Sequence, residues 1–274
     1  GRARYADGSE ISLIPPELGD ISVTPEKVLE LMDREGVEKA VLLQGNYLGF
    51  QNEYSLRAMK QYPDRFQAAV TYDPFCRNKE RILENLFGEQ GARVVKFEVS
   101  TGSGLMAAHT TVPLDGDMME EAYEYAEQKG LICVMDIGRY GTESYQPEAL
   151  SRAIRRHPRM KFVICHILMP QKGGELQMEA GLRTLNLPNV WFDFAALPAN
   201  VNKGEGFPYP AAQEMIRRAK AIVGAGRLMF GSDLPSTLVS ESYRNLVDYA
   251  AALFTDTECE QVFYSVADEV YFGG

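Results

Sequence analysis

The sequence predicts an α/β fold, a (β/α)8 TIM barrel, and three observations support that fold class. Short apolar runs rich in β-branched residues alternate with longer helical patterns along the 274 residues. Most of these runs are apolar on consecutive residues, as in parallel strands that are covered on both faces. No linker or low-complexity segment divides the chain. We therefore predict one barrel domain over 1–274, with an irregular N-terminal segment over 1–23 that packs on the barrel.

Seven of the barrel's eight strands are visible in the sequence, and the missing one falls at the start. We expect the first strand to be missing or distorted in this chain. In chain order the predicted strands are VEKAVLLQ (37–44), FQAAVTYD (66–73), ARVVKFEV (92–99), LICVMDI (131–137), KFVICHI (161–167), NVWFDFAA (189–196) and RLMFGSD (227–233).

Helical patterns fill the intervals between the strands. Thr24-Pro25-Glu26 supplies an N-cap, a proline at the first helical position and an acidic first turn. Gly36 then predicts the end of this first helix. Further helices are predicted at about 51–62, 77–88, 116–129, 146–157, 174–186, 208–224 and 239–254.

The alternation of strands and helices implies parallel strands joined by right-handed crossovers, which leaves two architectures. An open, doubly wound sheet that binds a dinucleotide would have a glycine-rich loop directly after its first strand. The segment 44–49, QGNYLG, lacks the GxGxxG pattern. The closed barrel is therefore the favoured architecture.

Composition excludes several classes of function. A formal net charge of -10, with acidic residues spread along the chain, argues against a nucleic-acid partner, because phosphate binding requires clustered Lys and Arg. The four cysteines show no CxxC spacing, which predicts free thiols in a reducing compartment. The chain has no apolar run of about 18 residues, and its polar start is unlike a signal peptide. We expect a cytoplasmic domain with no membrane partner.

Nearly every predicted strand ends in a polar or charged side chain. In a barrel these ends point into the mouth, where active sites lie. Charged residues seldom end buried strands unless they are paired or functional. The residues at these ends are Gln44, Asp73, Lys96, Glu98, Asp136, His166, Asp193 and Asp233.

The three histidines lie in different sequence contexts. His157 precedes a proline at a basic helix end, which fits a solvated C-cap. His109 lies in a polar loop and fits the surface or a lid. His166 ends an apolar strand. A core histidine bonded to the backbone is one interpretation, but an aspartate at a later strand end favours a functional role.

Lys96 has several interpretations. A lysine at a strand end can bind a substrate carboxylate, carry a carbamate that bridges metals, or pair with Glu98 or Asp136. Lys96 and Glu98 are two residues apart, so their side chains share one face of the strand. If that face points inward, both belong to the site. Asp73 precedes Pro74 and has two interpretations, a residue of the site or simply the start of a turn, and Asp193 is ambiguous because its strand continues beyond it.

The segments VICHILMP and LMFGSDLPS carry a resemblance to a known family. They are similar to the sixth strand of the amidohydrolase superfamily, which ends in histidine, and to its eighth strand, which ends in GSD before an apolar residue and proline. The tail VFYSVADEVYFGG resembles the closing helix of that family, with Val266 in place of the usual asparagine. GVEKAVLLQ and YPDRFQAAVTYDP resemble its second and third strands. The chain thus resembles the amidohydrolase-related branch, which includes aminocarboxymuconate-semialdehyde decarboxylase, resorcylate decarboxylases and dicarboxylate lactonases.

The resemblance implies roles for two residues. Asp233 matches the aspartate that binds a divalent metal and takes a proton from the attacking water. His166 matches the histidine that binds the metal or polarises the substrate. The implied cofactor is one divalent metal, with zinc favoured, which would lower the pKa of bound water or polarise a carbonyl.

Two departures make the metal conditional. The His-x-His of the family's first strand does not occur here, so either an upstream segment is absent from this sequence or the protein lacks those ligands. Without them, His166 and Asp233 make a poor zinc site, which needs about three protein ligands. Asp136 replaces a histidine that often ends the fifth strand. It would then be a metal ligand, an acid/base partner, or a counter-ion for Arg139 or Lys96.

We predict an enzyme that uses a metal to hydrolyse a C–O or C–N bond of a small molecule, a lactone or an amide. Asp233 would be the general base and His166 the second catalytic residue. The alternative within the enzymes is non-oxidative decarboxylation or hydration of an aromatic or muconate-like acid. A catalytically inactive barrel that acts as a binding protein is an alternative of a different class.

A small carboxylate would suit the polar strand ends. The predicted substrate-binding residues are Lys96, Glu98, Asp136, Arg139 and Gln44, and the neighbouring aromatic residues Tyr47, Tyr140 and Phe97 would suit a planar anion. The long connections over 101–114 and 197–210 either build specificity or a lid, or form the interface of a homo-oligomer.

Overall fold

The computed structural model describes residues 2–4, 6–12, 23–45, 50–100, 109 and 111–273, which contain a seven-stranded parallel sheet. Its strands follow one another in chain order, as in a barrel. The sheet curls into an incomplete barrel whose edge strands, the first and the last, do not pair within the described part of the chain. This confirms the predicted α/β barrel, and the incomplete sheet fits the expectation of a missing or distorted first strand. The strands are β3 Ala40–Leu42, β4 Phe66–Val70, β5 Val94–Glu98, β6 Ile132–Asp136, β7 Lys161–Ile164, β8 Val190–Asp193 and β9 Leu228–Met229.

A small hairpin precedes the barrel. Strands β1 Arg2–Arg4 and β2 Glu10–Ser12 pair antiparallel, with Arg4 opposite Glu10. The guanidinium Nε of Arg4 donates a 3.1 Å hydrogen bond to the Glu10 carboxylate. The prediction that segment 1–23 is irregular is therefore wrong for these two stretches.

Helix α1, Pro25–Glu35, has the start and the end that the sequence predicts. The Thr24 hydroxyl accepts a hydrogen bond from the backbone N–H of Lys27 at 3.3 Å, and Pro25 begins the helix. Gly36 adopts φ 72°, a left-handed conformation that favours glycine, and its N–H closes the last turn.

Helices lie between successive strands and cover the outside of the sheet. The predicted helices are confirmed, with bounds within a few residues of those expected. Helix α7 is an addition, because it lies at the start of a predicted loop. The bounds are α2 Asn52–Gln61, α3 Lys79–Leu83 with a π-helical continuation Glu84–Glu89, α4 Asp117–Gln128, α5 Pro147–Arg156, α6 Glu175–Leu185, α7 Leu197–Val201, α8 Pro210–Val223, α9 Tyr243–Ala251 and α10 Asp256–Glu260 with π-helical continuations Gln261–Ser265 and Asp268–Phe272.

The strands are shorter than predicted at their carboxyl ends. β7 ends at Ile164, because His166 begins a turn with positive φ angles. β9 has two residues, and the backbone N–H of Phe230 donates to Val262 of the C-terminal helical segment at 2.9 Å. The carboxyl ends therefore leave the hydrogen-bond ladder early and turn their side chains into the mouth.

The two faces of the sheet have different surroundings. The outward face packs against the helices in the larger hydrophobic core, which includes Phe97, Phe162 and Phe192. The inward face holds a second core around Val94, which Val270 and Tyr271 close from below. Because both faces are covered, the strands are apolar on consecutive residues, as the sequence pattern indicated.

Two further expectations concern cysteines and membranes. All four cysteines are free thiols, as predicted. Among the described residues, no helix combines the length and the apolar character needed to cross a bilayer.

Candidate active site

The inward face of the sheet changes from apolar to charged toward the carboxyl ends of the strands. On β5, Val94, Lys96 and Glu98 alternate on this face, so Val94 packs in the inner core and the two charged residues lie above it. The register of the neighbouring strand pairs Glu98 with Asp136. Lys96 and Asp136 are buried, and Asp136 is only 4% exposed. A compact group of charges therefore forms the floor of the mouth.

Lys96 and Glu98 form an ion pair in this floor. The Lys96 Nζ lies 3.4 Å from Glu98 Oε2, and the Ser100 hydroxyl donates to the other carboxylate oxygen. Burial raises the pKa of Glu98, and the nearby Asp136 carboxylate raises it further, to about 7, although Lys96 acts against this shift. Glu98 therefore holds its proton well above the ordinary range of a carboxyl group.

Lys96 stays charged in spite of its burial. Burial alone would lower its pKa, but Cys165 and the carboxylates of Glu98, Asp136 and Asp233 outweigh burial and raise the pKa. The ammonium group is therefore a fixed positive charge in the mouth.

His166 presents one ring nitrogen to the mouth. Its Nδ1 lies 3.0 Å from the carbonyl oxygen of Ala195, and because a carbonyl only accepts, this nitrogen carries a proton. Its Nε2 lies 3.6 Å from Asp136 Oδ2. Burial alone would lower the pKa of His166, but Asp193, Asp136 and Asp233 together raise it to about 9. The imidazole is therefore an imidazolium at neutral pH.

Asp233 follows a close contact between two strand ends. A Cβ atom built on Gly231 would lie 2.8 Å from the Cβ of Ala195, so only glycine permits this approach. Asp233 itself has φ 53°, and the Ser236 hydroxyl donates to its carbonyl oxygen at 2.9 Å. Unlike the buried floor, the Asp233 side chain is exposed. The glycine of the GSD segment thus allows the two strand ends to approach closely just before Asp233.

One large cavity connects these groups. Its volume is about 2330 Å³, well above the roughly 300–1,000 Å³ of an ordinary ligand pocket. The excess arises because the cavity extends between β3 and β9, the two edge strands of the described sheet, and residues of both strands line it. Only its polar end is a candidate site, and that end is lined by Lys96, Glu98, Asp136, His166, Asp193 and Asp233.

Two predicted substrate-binding residues lie apart from this group. Gln44 lines the cavity, but its amide is in use: the Nε2 donates to the Ala69 carbonyl at 3.0 Å and to Asn52 at 2.7 Å, and the Oε1 accepts from Gln51. Arg139 is exposed on the loop after β6 and does not line the cavity. Neither side chain is therefore part of the charged group at the polar end of the cavity.

Of the three aromatic residues expected beside a planar substrate, the two that the structure describes do not lie at the polar end of the cavity. Phe97 is buried on the outward face, where its ring packs edge-on against Tyr72 at 5.5 Å. Tyr140 is 61% exposed. Tyr47 lies outside the described residues, as does the predicted loop at 101–108 and 110.

Of the other two histidines, His157 differs from its predicted surroundings and His109 does not. His157 caps α5, but it is buried rather than solvated, and its Nε2 lies 3.0 Å from the Glu120 carboxylate. His109 is partly exposed, and its Nε2 lies 2.8 Å from Oδ2 of Asp73. Asp73 also accepts from the backbone N–H of Phe75, which is the turn-starting role that the sequence offered.

The described residues do not by themselves fit a catalytic metal. Among them, no three His, Cys, Asp or Glu side chains converge as a metal site. A catalytic zinc site uses about three protein ligands and a water. The residues that crowd the mouth are held as ion pairs instead, with Lys96 against Glu98 and His166 against Asp136.

The fold and this site define a barrel protein whose charged mouth lies at the carboxyl ends of its strands, as in barrel enzymes. The chain belongs to the amidohydrolase family, because the Amidohydrolase family model (Amidohydro_2) matches residues 15–273. This confirms the resemblance that the strand ends and the C-terminal tail indicated.

Solved structures share the fold across almost the whole chain. An amidohydrolase from Burkholderia multivorans is 16% identical, with a TM-score of 0.77, 94% of this chain covered and 92% of its own. A second crystal form of that protein contains bound zinc. A probable 2-pyrone-4,6-dicarboxylic acid hydrolase from Acinetobacter baumannii is 18% identical, with a TM-score of 0.72 and coverages of 92% and 90%.

A decarboxylase has the same fold. The 2,6-dihydroxybenzoate decarboxylase, solved with 2,6-dihydroxybenzoate, is 14% identical, with a TM-score of 0.65 and coverages of 93% and 90%. At these identities the likeness concerns the fold. A comparison with curated proteins gives no match.

Proposed function

We propose that the chain hydrolyses a C–O or C–N bond of a small molecule, a lactone or an amide, with Asp233 as general base and His166 as the group that polarises the carbonyl. The observation that carries this proposal is that His166 and Asp233 line the same end of one cavity. Family membership supports an enzyme of this kind.

Hydrolysis needs a base on the water and positive charge on the carbonyl oxygen. In the proposed step, Asp233 takes a proton from water while the water oxygen forms a bond to the acyl carbon. The carbonyl electrons move to oxygen, where the imidazolium of His166 stabilises the negative charge. When the C=O bond re-forms, the bond to the leaving oxygen or nitrogen breaks, and that atom takes the proton from Asp233.

Lys96 is the proposed contact for a substrate carboxylate or for the developing oxyanion. Its 3.4 Å separation from Glu98 is long for a hydrogen bond, so the ammonium keeps donors for a ligand. Two structural relatives are named for compounds that are carboxylated rings, 2-pyrone-4,6-dicarboxylic acid and 2,6-dihydroxybenzoate. We therefore propose a small ring carboxylate as the substrate class.

The divalent metal stays a prediction. It has support from family membership and from the zinc in one structural relative. The described residues do not form a complete three-ligand group, so no step of the proposed hydrolysis is assigned to a metal. Elemental analysis of the purified full chain checks this prediction, together with thermal unfolding with and without added zinc.

Decarboxylation is the second candidate, because two structural relatives are named as decarboxylases of aromatic acids. In that reaction Asp233 would deliver a proton to the ring carbon as CO2 leaves, and Lys96 and His166 would bind the substrate oxygens. The same residues serve both reactions, so the substrate decides between them.

Two probes separate these candidates. The full chain is assayed with 2-pyrone-4,6-dicarboxylate for ring opening and with 2,6-dihydroxybenzoate for CO2 release. Ring opening that is lost in Asp233→Asn and kept in Asp64→Asn supports hydrolysis, because Asp64 is an exposed aspartate at the opposite end of the barrel. CO2 release without ring opening supports the second candidate. Activity that survives Asp233→Asn contradicts the proposed role of Asp233 in either reaction.

A further inference from the structure

The turn that presents His166 has an unusual backbone. Four consecutive residues that are not glycine, His166, Ile167, Leu168 and Met169, have φ angles of 56°, 42°, 70° and 45°. Side chains with a Cβ rarely adopt this left-handed region, and never as a favoured run. Such a turn persists only when its surroundings hold it in place.

A single carboxylate oxygen holds the start of this turn. Oδ1 of Asp193, at the end of β8, accepts hydrogen bonds from the backbone N–H of His166 at 2.9 Å and from that of Ala195 at 3.1 Å. Asp193 is buried, so both bonds are shielded from water. The Asp193 carboxylate therefore links His166, which carries the imidazole, to Ala195, whose carbonyl oxygen binds the imidazole.

Ala195 orients the imidazole of His166. The Ala195 carbonyl accepts from His166 Nδ1 at 3.0 Å, so its position decides which ring nitrogen carries the proton and where Nε2 points. Asp193 itself does not bind the ring, because its Oδ1 lies 4.0 Å from Nδ1.

Packing supports the turn from the outer side. A Cβ atom on Gly181 of α6 would lie 2.6 Å from Cδ1 of Leu168. The glycine therefore leaves the space into which the third residue of the turn inserts its buried side chain. The turn is enclosed by α6 on one side and by Asp193 on the other.

We propose that Asp193 is a positioning residue that acts through the backbone: one carboxylate oxygen fixes the left-handed turn and the Ala195 carbonyl, and so directs Nε2 of His166 into the cavity. A proton relay from the ring to Asp193 is the competing role. The two roles differ in what they need from residue 193, because the backbone clamp needs an acceptor oxygen and a relay needs a carboxylate. The expected effect of residue 193 on turnover rests on the proposed function. Its expected effect on the orientation and the tautomer of the His166 imidazole does not.

The test compares Asp193→Asn with Asp193→Ala in the full chain. Asparagine keeps an acceptor oxygen of the same reach and loses the charge, and alanine loses both. The ring is observed by nitrogen-15 NMR of the histidine side chains at pH 10, above the pKa of about 9, where the neutral tautomer is visible. The chain has three histidines, so His109→Gln and His157→Gln identify the His166 signals by subtraction.

The clamp predicts that Asp193→Asn keeps the Nδ1-protonated tautomer, and that Asp193→Ala loses it or fails to fold. Both variants lose one negative charge, so a lowered His166 pKa in both is expected and does not separate the roles. In turnover measured at a pH where His166 is still charged in both variants, Asp193→Asn keeps kcat within a few-fold, while a folded Asp193→Ala loses about 100-fold, the scale of a misplaced catalytic group.

Two results would overturn this inference. One is a folded Asp193→Asn protein in which the Nδ1 proton is lost, since the acceptor oxygen is still present. The other is an Asp193→Ala protein with the tautomer of the unmodified chain. Because the NMR measurement uses no substrate, it decides the role of Asp193 even if neither proposed reaction is found.

Discussion

Nε2 of His166 lies 3.6 Å from Oδ2 of Asp136, and both side chains are buried in the mouth of the barrel. The pair joins the ends of two neighbouring strands, β6 and β7, and gives the imidazole an anionic partner on the side that faces the cavity. Asp136 also accepts from the backbone N–H of Gly138 at 2.9 Å, which fixes its carboxylate. The relationship makes the charge on His166 depend on Asp136.

Asp136→Asn should lower the pKa of His166 from about 9 toward the ordinary value near 6.5. The physical reason is that the amide keeps the shape and the bond to Gly138 but removes a negative charge beside the ring. An NMR titration of the three histidines measures the shift. An unchanged His166 pKa in a folded variant would show that the pair is not formed in solution.

The same raised pKa predicts how stability depends on pH. The pKa of His166 is higher in the folded protein than in the unfolded chain. The charged imidazole therefore stabilises the fold fully below about pH 6.5, and this stabilisation is lost as the pH rises through about 9. Denaturant unfolding between pH 6 and pH 10 measures this loss. In His166→Gln the decline over that range should be shallower than in the unmodified chain.

Glu98→Gln should change the pH dependence of stability in a different range. The folded pKa of Glu98, about 7, lies above its ordinary value of 4.5, so the folded protein keeps a proton that the unfolded chain releases. Stability from this group therefore falls as the pH rises from 4.5 to 7, by something on the order of 1–3 kcal/mol. Glutamine removes the titration, so the slope over this window should flatten. Denaturant unfolding at pH 5 and pH 8 tests this, and an unchanged slope would contradict it.

Gly231→Ala should destabilise the chain and impair the site together. The added Cβ would lie 2.8 Å from the Cβ of Ala195, so the turn before Asp233 must move away from β8. Overpacking of this kind costs about 1–3 kcal/mol. Gly226→Ala is the matched control, because a Cβ there meets nothing within 4 Å. Thermal unfolding of both variants measures the cost, and equal stabilities would refute the close contact.

Asp233→Asn should reduce turnover of whichever probe is active by about 10²–10⁴-fold, the usual contribution of a general base. The side chain is exposed, so we expect little change in stability. If Asp233 and His166 act in one step, the double variant with His166→Gln should be scarcely worse than either single variant. Losses that multiply would indicate that the two residues act independently.

The fold and the cluster of charges could be predicted from sequence because both follow from periodicity. The apolar runs marked the strands, and the two-residue spacing of Lys96 and Glu98 placed both on one face. The same rule could have excluded Phe97, which lies between them and faces outward. Arg139 follows a turn at Gly138, which has φ 72°, and the turn leaves Arg139 exposed. The composition of this segment did not indicate that change of direction.

The geometry around His166 could not be predicted in the same way. Its turn has left-handed residues without any glycine, so no residue type marks it. Asp193 acts across two strands, and its bond to the His166 backbone depends on the register of β7 and β8. Contacts of this kind become visible only when the strands are placed side by side.

We propose that the imidazole of His166 and the carboxylate of Asp233, which line one end of the cavity, serve a single reaction centre. The most direct test is a crystal structure of Asp233→Asn soaked with 2-pyrone-4,6-dicarboxylate. We expect Nε2 of His166 and the residue 233 side chain both to contact the ligand or one shared water, at about 3 Å. A ligand bound elsewhere, or a residue 233 side chain turned away from His166 and out of reach of any common atom, would contradict it.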